Sequence, residues 1–72
     1  MPRVDMIATG ANIAALRKKN NISVRTLQTM MGLSSQTIFK WQRGDCLPTV
    51  DNLVILADIL NVTVNDILVV TK

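Results

Sequence analysis

Apolar residues recur along this 72-residue chain at helical spacing, broken by short polar stretches suited to caps and turns. The spacing predicts a first helix opening near Asp5 or Thr9, with Ile13 and Leu16 on its buried side and Met6 or Ile7 and Ala14 near them. Asn20-Asn21 would end it, because asparagine tolerates turn and left-handed backbone. Ser23 can cap a second helix by accepting a backbone N–H, and Leu27 and Met31, four apart, share its inner face. Gly32 supplies the positive φ of a tight turn at no steric cost. Ser34 or Ser35 caps a third helix, in which Ile38 and Trp41 sit three apart and Gly44 falls just past the end.

Asp45 to Pro48 reads as a loop. Thr49 can cap a fourth helix whose Leu53, Leu56, Ala57 and Leu60 form an i, i+3, i+4, i+7 stripe. Thr63 begins a short fifth helix with Ile67 and Leu68, and Asp66 falls where a carboxylate favours a helix N-terminus. Five short helices with brief connections give an all-α class, a compact bundle. Val64, Val69 and Val70 also admit a strand near the C-terminus, the second reading. With no linker, repeat or low-complexity segment, residues 1–72 read as a single domain.

Composition narrows the chemistry. The chain is 49% hydrophobic with one Trp, one Phe and no Tyr, so its core must be aliphatic. Its length is near the lower limit for an independent core. No apolar run approaches the roughly 18–20 residues of a membrane span, and nothing resembles a secretory signal, so cytoplasm is the default location. One cysteine and no histidine exclude an internal disulfide, an ordinary zinc cluster and Cys/His or Ser/His catalysis. With no glutamate and scattered aspartates, no acid–base pair suggests an enzyme, and no cofactor or metal is implied. Cys46 is expected to be a buried or half-buried loop thiol.

Charge is placed unevenly. Residues 1–44 carry seven cations against Asp5 alone, a net +6, whereas residues 45–72 carry Lys72 against four aspartates, a net −3. No acidic residue lies between Asp5 and Asp45. A polyanion approaching the first half meets attraction without an opposing carboxylate. Within that half, Ser23 to Gly44 places two short apolar-periodic segments around Gly32 and a Ser-Ser pair, with amide and cationic side chains along the second. This is the pattern of a helix-turn-helix, and it points to duplex DNA as the partner.

The pieces in order are Ile-x-x-Leu-Arg at 13–17, Ile22-Ser23, Leu27, Gly-Leu-Ser at 32–34, and Ile-x-x-Trp-x-x-Gly at 38–44. Pro48, Leu53, Leu56-Ala57, Leu60, Val62 and Leu68 follow. Over about Thr9 to Leu68 this resembles the XRE family, the phage Cro and repressor type of helix-turn-helix. The resemblance implies a five-helix, lambda-repressor-like DNA-binding domain, with helices two and three as the binding unit and the third, about 35–43, in the major groove. It implies a small transcriptional regulator, most simply a repressor acting by occupancy.

Carried over residue by residue, Ser35, Gln36 and Lys40 fall where the family contacts bases, and Phe39 lies on the same side. Gln suits adenine, Lys suits guanine, and Ser accepts or donates with little selectivity. Phe39 could meet a thymine methyl or be a core or dimer-contact ring, and Ser35 could equally be a cap. Arg43, Arg25 and Arg17-Lys18-Lys19 suit phosphate contacts, and the helix starts near Ser23 and Ser34 offer backbone N–H groups for the same purpose. Trp41 is expected in the core.

Three positions depart from the family pattern. Val24 stands where a phosphate-binding Gln is frequent. Gln28 stands where a small Ala is usual, implying looser or shifted packing. Gln42 stands where a Glu often pairs with the Arg of the first helix, so Arg17 has at most a neutral acceptor there. Family members commonly bind near-palindromic sites as dimers. Val54, Ile55, Ile59, Val69 and Val70 add apolar surface that suits a homodimer through the C-terminal half, or else closes a very small core. An alternative function is an antitoxin-like protein-interaction module with DNA binding as autoregulation.

Overall fold

Every helix of this chain opens on a side chain that replaces a missing backbone partner. In the computed structural model, which describes residues 1–72, Asp5, Ser23, Ser34, Thr49 and Thr63 are the N-caps. Each accepts the N–H three residues on, from Ala8, Thr26, Thr37, Asn52 and Asp66 respectively. Such a cap is worth about 1 kcal/mol. The elements they open are α1 (Met6–Lys19), α2 (Val24–Met31), α3 (Ser35–Arg43), α4 (Val50–Leu60) and α5 (Val64–Ile67). Three of the helix ends turn through left-handed residues, Gly32 (φ 67°), Gly44 (φ 79°) and Asn61 (φ 58°). Asn21 is left-handed too (φ 57°), one residue past the Asn20 cap of α1.

Thr63 and Asp66 form a reciprocal capping box: the Thr63 N–H donates to the Asp66 carboxylate at 2.9 Å, and the Asp66 N–H to the Thr63 hydroxyl at 3.2 Å. The Thr63 backbone N–H, and then its hydroxyl, hold the Asp66 carboxyl below its ordinary pKa.

The core is a cluster of nine side chains drawn from all five helices: Ile13, Leu27, Ile38, Trp41, Leu53, Leu56, Ala57, Leu60 and Ile67. As expected, it is aliphatic apart from the indole. Leu16, Ile22, Val24, Met31 and Leu33 are half-buried against it. The fold is mostly helical with one addition. β1 (Arg3–Val4) and β2 (Val70–Thr71) pair antiparallel, with Val4 opposite Val70. The second reading of the valine-rich tail therefore holds for Val70, whereas Val64 opens α5.

The ends of the chain are stitched to α1 beyond that pair. The Asp5 N–H donates to the Val69 carbonyl at 2.8 Å, and the Val69 N–H donates to the Thr9 hydroxyl at 2.9 Å. The Asn12 amide donates to the Asp66 and Ile67 carbonyls at 2.7 and 3.0 Å, satisfying acceptors at the end of α5 that have no partner within it. Thr9 is fully buried, and its bond offsets the desolvation of its hydroxyl.

Two expectations are corrected. Neither Met6 nor Ile7, one of which is expected near the buried side of α1, is buried; they are 43% and 70% exposed. The buried residues of α1 are Thr9, Gly10 and Ile13; Gly10 lies against α3, and Ile7, one turn earlier, lies beside Gly44, past the end of α3. Cys46 is exposed, because the loop turns Pro48 inward and leaves the thiol facing out. No helix is long and apolar enough to cross a membrane.

Candidate nucleic-acid interface

α2, the Gly32 turn and α3 form the expected unit. Gly32 takes φ 67° with nothing within 4 Å of a would-be Cβ, so backbone conformation alone calls for glycine there. Its N–H and that of Leu33 both donate to the Gln28 carbonyl, closing α2. Leu33 then enters the edge of the core, and Ser34 starts α3. Leu27 on α2 and Ile38 on α3 are fully buried, so the two helices share one apolar anchor.

The 3.6-residue period divides α3 into two faces. Ile38 and Trp41 point inward, the latter 2% exposed. Gln36, Phe39, Lys40 and Arg43 are exposed along the opposite stripe. Phe39 is 43% exposed, so it is not a core ring. Ser34 is the cap, which leaves Ser35 as the first helical residue, half-buried beside Gln36. The residues chosen for base contact thus sit together on one helix, on or beside its outer face. Ser35, at the first turn, has the shortest side chain of the four.

The cations divide by what they already bind. Lys18, Lys19 and Arg25 are exposed, and no internal ion pair joins them. Arg43 is bound: its Nε donates to Asp45 Oδ2 at 3.0 Å, and its Nη2 lies 3.0 Å from the same oxygen. This contact was missed in the sequence, although Arg-Gly-Asp around a helix-ending glycine is its signal. Arg17 is half-buried, donating from Nε to Gln42 Oε1 at 3.0 Å and from Nη1 to the Ile22 carbonyl at 2.9 Å. The neutral acceptor expected at Gln42 is therefore present.

The Ser23 hydroxyl donates to Thr26 Oγ1 and accepts the Thr26 N–H, and the Ser34 hydroxyl accepts the Thr37 N–H and shares a hydrogen bond with Thr37 Oγ1. Both hydroxyls are engaged, so these helix starts can offer a phosphate their remaining backbone N–H groups. Val24 is half-buried against the core, a packing role in place of a polar one. Gln28 is half-buried while its neighbour Leu27 is fully buried.

The helix-turn-helix family model matches residues 13–67. This chain belongs to the XRE-type helix-turn-helix family of DNA-binding proteins. No curated protein matches it in sequence. Among solved structures it is similar to the restriction-modification controller protein C.AhdI from Aeromonas hydrophila, with a TM-score of 0.79 and 24% identity over 88% of this chain and 96% of that one. It is also similar to the DNA-binding domain of BldD, with a TM-score of 0.77 and 25% identity over 90% of this chain and 94% of that one. The five-helix arrangement is shared with both. In this family member the helix-turn-helix runs from Val24 to Arg43.

Proposed function

We propose that this chain is a single-domain, sequence-specific transcriptional regulator that binds duplex DNA as a homodimer and represses by occupying its operator. The observation that carries the reading is the outer stripe of α3, with Gln36, Phe39, Lys40 and Arg43 exposed on a helix anchored by buried Ile38 and Trp41. A capped rod with amides and cations outward fits the major groove. Ser35, Gln36, Phe39 and Lys40 read base edges, with Phe39 against a thymine methyl. Lys18, Lys19, Arg25, Arg17, Arg43 and the helix starts at Ser23 and Ser34 hold phosphates. BldD's solved domain is described as DNA-binding and C.AhdI as a controller protein, which favours the same role here. The site of action is the cytoplasm, where the operator lies.

Self-association is supported by exposed apolar residues on α4, where Val50, Val54 and Ile55 are 76%, 57% and 45% exposed, with exposed Asp51 and Asp58 between Val54 and Ile55 around the helix. Val70, 53% exposed, adds a separate apolar residue on β2. Ile59 packs against the core and Val69 is half-buried at the α1 seam, so both contribute less. A dimer presents two α3 helices to half-sites about one helical turn, roughly 34 Å, apart.

Selection of bound sequences from a random duplex pool tests the reading. The expected result is a near-palindromic site whose affinity falls steeply with salt. Gln36→Ala is expected to relax preference at one base pair without weakening all duplexes alike. Absence of duplex binding at low salt would end the proposal.

A further inference from the structure

Arg17 lies in the last turn of α1, and its guanidinium joins three parts of the molecule. Nε donates to Gln42 on α3 at 3.0 Å, and Nη1 donates at 2.9 Å to the Ile22 carbonyl, immediately ahead of the Ser23 cap of α2. Both acceptors are uncharged. The one salt bridge in the molecule is between Arg43 and Asp45, so no carboxylate stands within ion-pair distance of Arg17. Its second terminal nitrogen, Nη2, makes no bond within the chain. A guanidinium does not lose its proton in proteins, so the full positive charge remains at this junction. A carboxylate at 42 would hold the side chain equally well but would cancel that charge. An amide holds it and cancels nothing.

We propose that Gln42 is a positioning residue for the DNA backbone: its neutral amide fixes Arg17 at the junction of α1, α2 and α3 with its charge intact, leaving Nη2 to bind one phosphate. The proposal rests on the DNA-binding reading above. It separates two properties that usually travel together, the placement of a cation and its neutralisation. Arg43 provides the internal contrast, a cation whose nearest partner is a carboxylate.

The test is the salt dependence of binding to one selected duplex, measured for the unsubstituted chain and for Gln42→Glu, Gln42→Ala and Arg17→Lys. Gln42→Glu is expected to melt no lower than the unsubstituted chain. Its slope of log affinity against log salt should be shallower by about 0.9, the share of one phosphate, which is roughly an eightfold loss near 0.1 M salt. The loss should be the same on every duplex. Gln42→Ala and Arg17→Lys keep the charge, so they should keep the slope and lose affinity a few-fold through poorer placement. A Gln42→Glu slope equal to the original, with duplex binding intact, overturns this proposal and leaves the DNA-binding reading standing. Equal slopes in all four proteins with lowered melting temperatures would mean that the contact is only structural, and overturn it likewise. No duplex binding by the unsubstituted chain overturns both readings.

Discussion

Gly10 of α1 lies directly against the Trp41 carbonyl of α3. A Cβ at 10 would overlap that oxygen and stand 2.9 Å from the Gln42 carbonyl oxygen. This contact sets how near the first helix comes to the one proposed to face DNA. The obstacles are backbone atoms, so no rotamer change relieves the overlap.

Gly10→Ala should therefore destabilise the protein. At an exposed helical position the same change stabilises by up to about 1 kcal/mol through helix propensity. Here α1 and α3 must separate, and overpacking of this kind costs about 1–3 kcal/mol. In a chain of this size each kcal/mol moves the melting temperature by about 4–8 °C. Thermal unfolding followed by circular dichroism should show a fall of several degrees, and a rise would mean that the helices separate at little cost.

The Arg43–Asp45 pair predicts a gain. Both side chains are more than half exposed, at 60% and 52%, so the pair adds little to stability. It does place a carboxylate beside a cation on the face proposed to meet phosphate. Asp45→Asn should raise affinity for all duplexes alike, by between about two- and eightfold near 0.1 M salt, and steepen the salt dependence. Its melting temperature should hardly move. Unchanged binding in a titration would place Arg43 away from the DNA backbone.

What was legible in advance was local. Ser23, Thr49 and Thr63 announce their helices because a cap and its partner lie three residues apart. Gln36 and Lys40 fall opposite Ile38 and Trp41 by period alone. The sequence does not choose between Ser34 and Ser35, since both hydroxyls are chemically able to cap. The exposure of Ile7 was not legible, because it depends on where α1 meets α3: Gly10 lies against Trp41, 31 residues on, and Ile7 lies beside Gly44, past the end of α3. The terminal stitching was hidden for the same reason: Thr9 meets Val69 across 60 residues, and no spacing rule links them. The pairing of Arg43 with Asp45 depends on the left-handed turn at Gly44, which brings two side chains together around the end of α3.

Asp66 predicts a response to acid. Its carboxyl has a lowered pKa in the folded protein, chiefly through the Thr63 backbone N–H and then the Thr63 hydroxyl. A group with a depressed folded pKa contributes stability that is complete above its unfolded value, about 3.9 for aspartate, and that disappears as pH falls through the folded value. Melting temperature should therefore drop as pH is lowered from about 5 toward 2. Asp66→Asn should melt lower at neutral pH and show a weaker drop over that window. Parallel pH profiles for the two proteins would show that the capping box contributes nothing to acid sensitivity.

The outer face of α4 makes the proposed dimer testable without damaging the fold. Val54 is 57% exposed between Asp51, three residues before it, and Asp58, four residues after it, and both aspartates are exposed. A lysine at 54 would sit within reach of two carboxylates on its own helix, a pairing worth about 0.2–0.5 kcal/mol each. Val54→Lys should thus preserve or slightly raise the stability of the monomer. It would also put a charge beside exposed Val50, on the flank of α4 that the proposed dimer would have to bury. Sedimentation velocity should show the dimer weakened by roughly tenfold or more, about 1.4 kcal/mol or above. Affinity for a two-half-site duplex should fall while that for a single half-site is retained. A variant that still sediments as a dimer would move the contact to another surface, with exposed Val70 on β2 next to be tested.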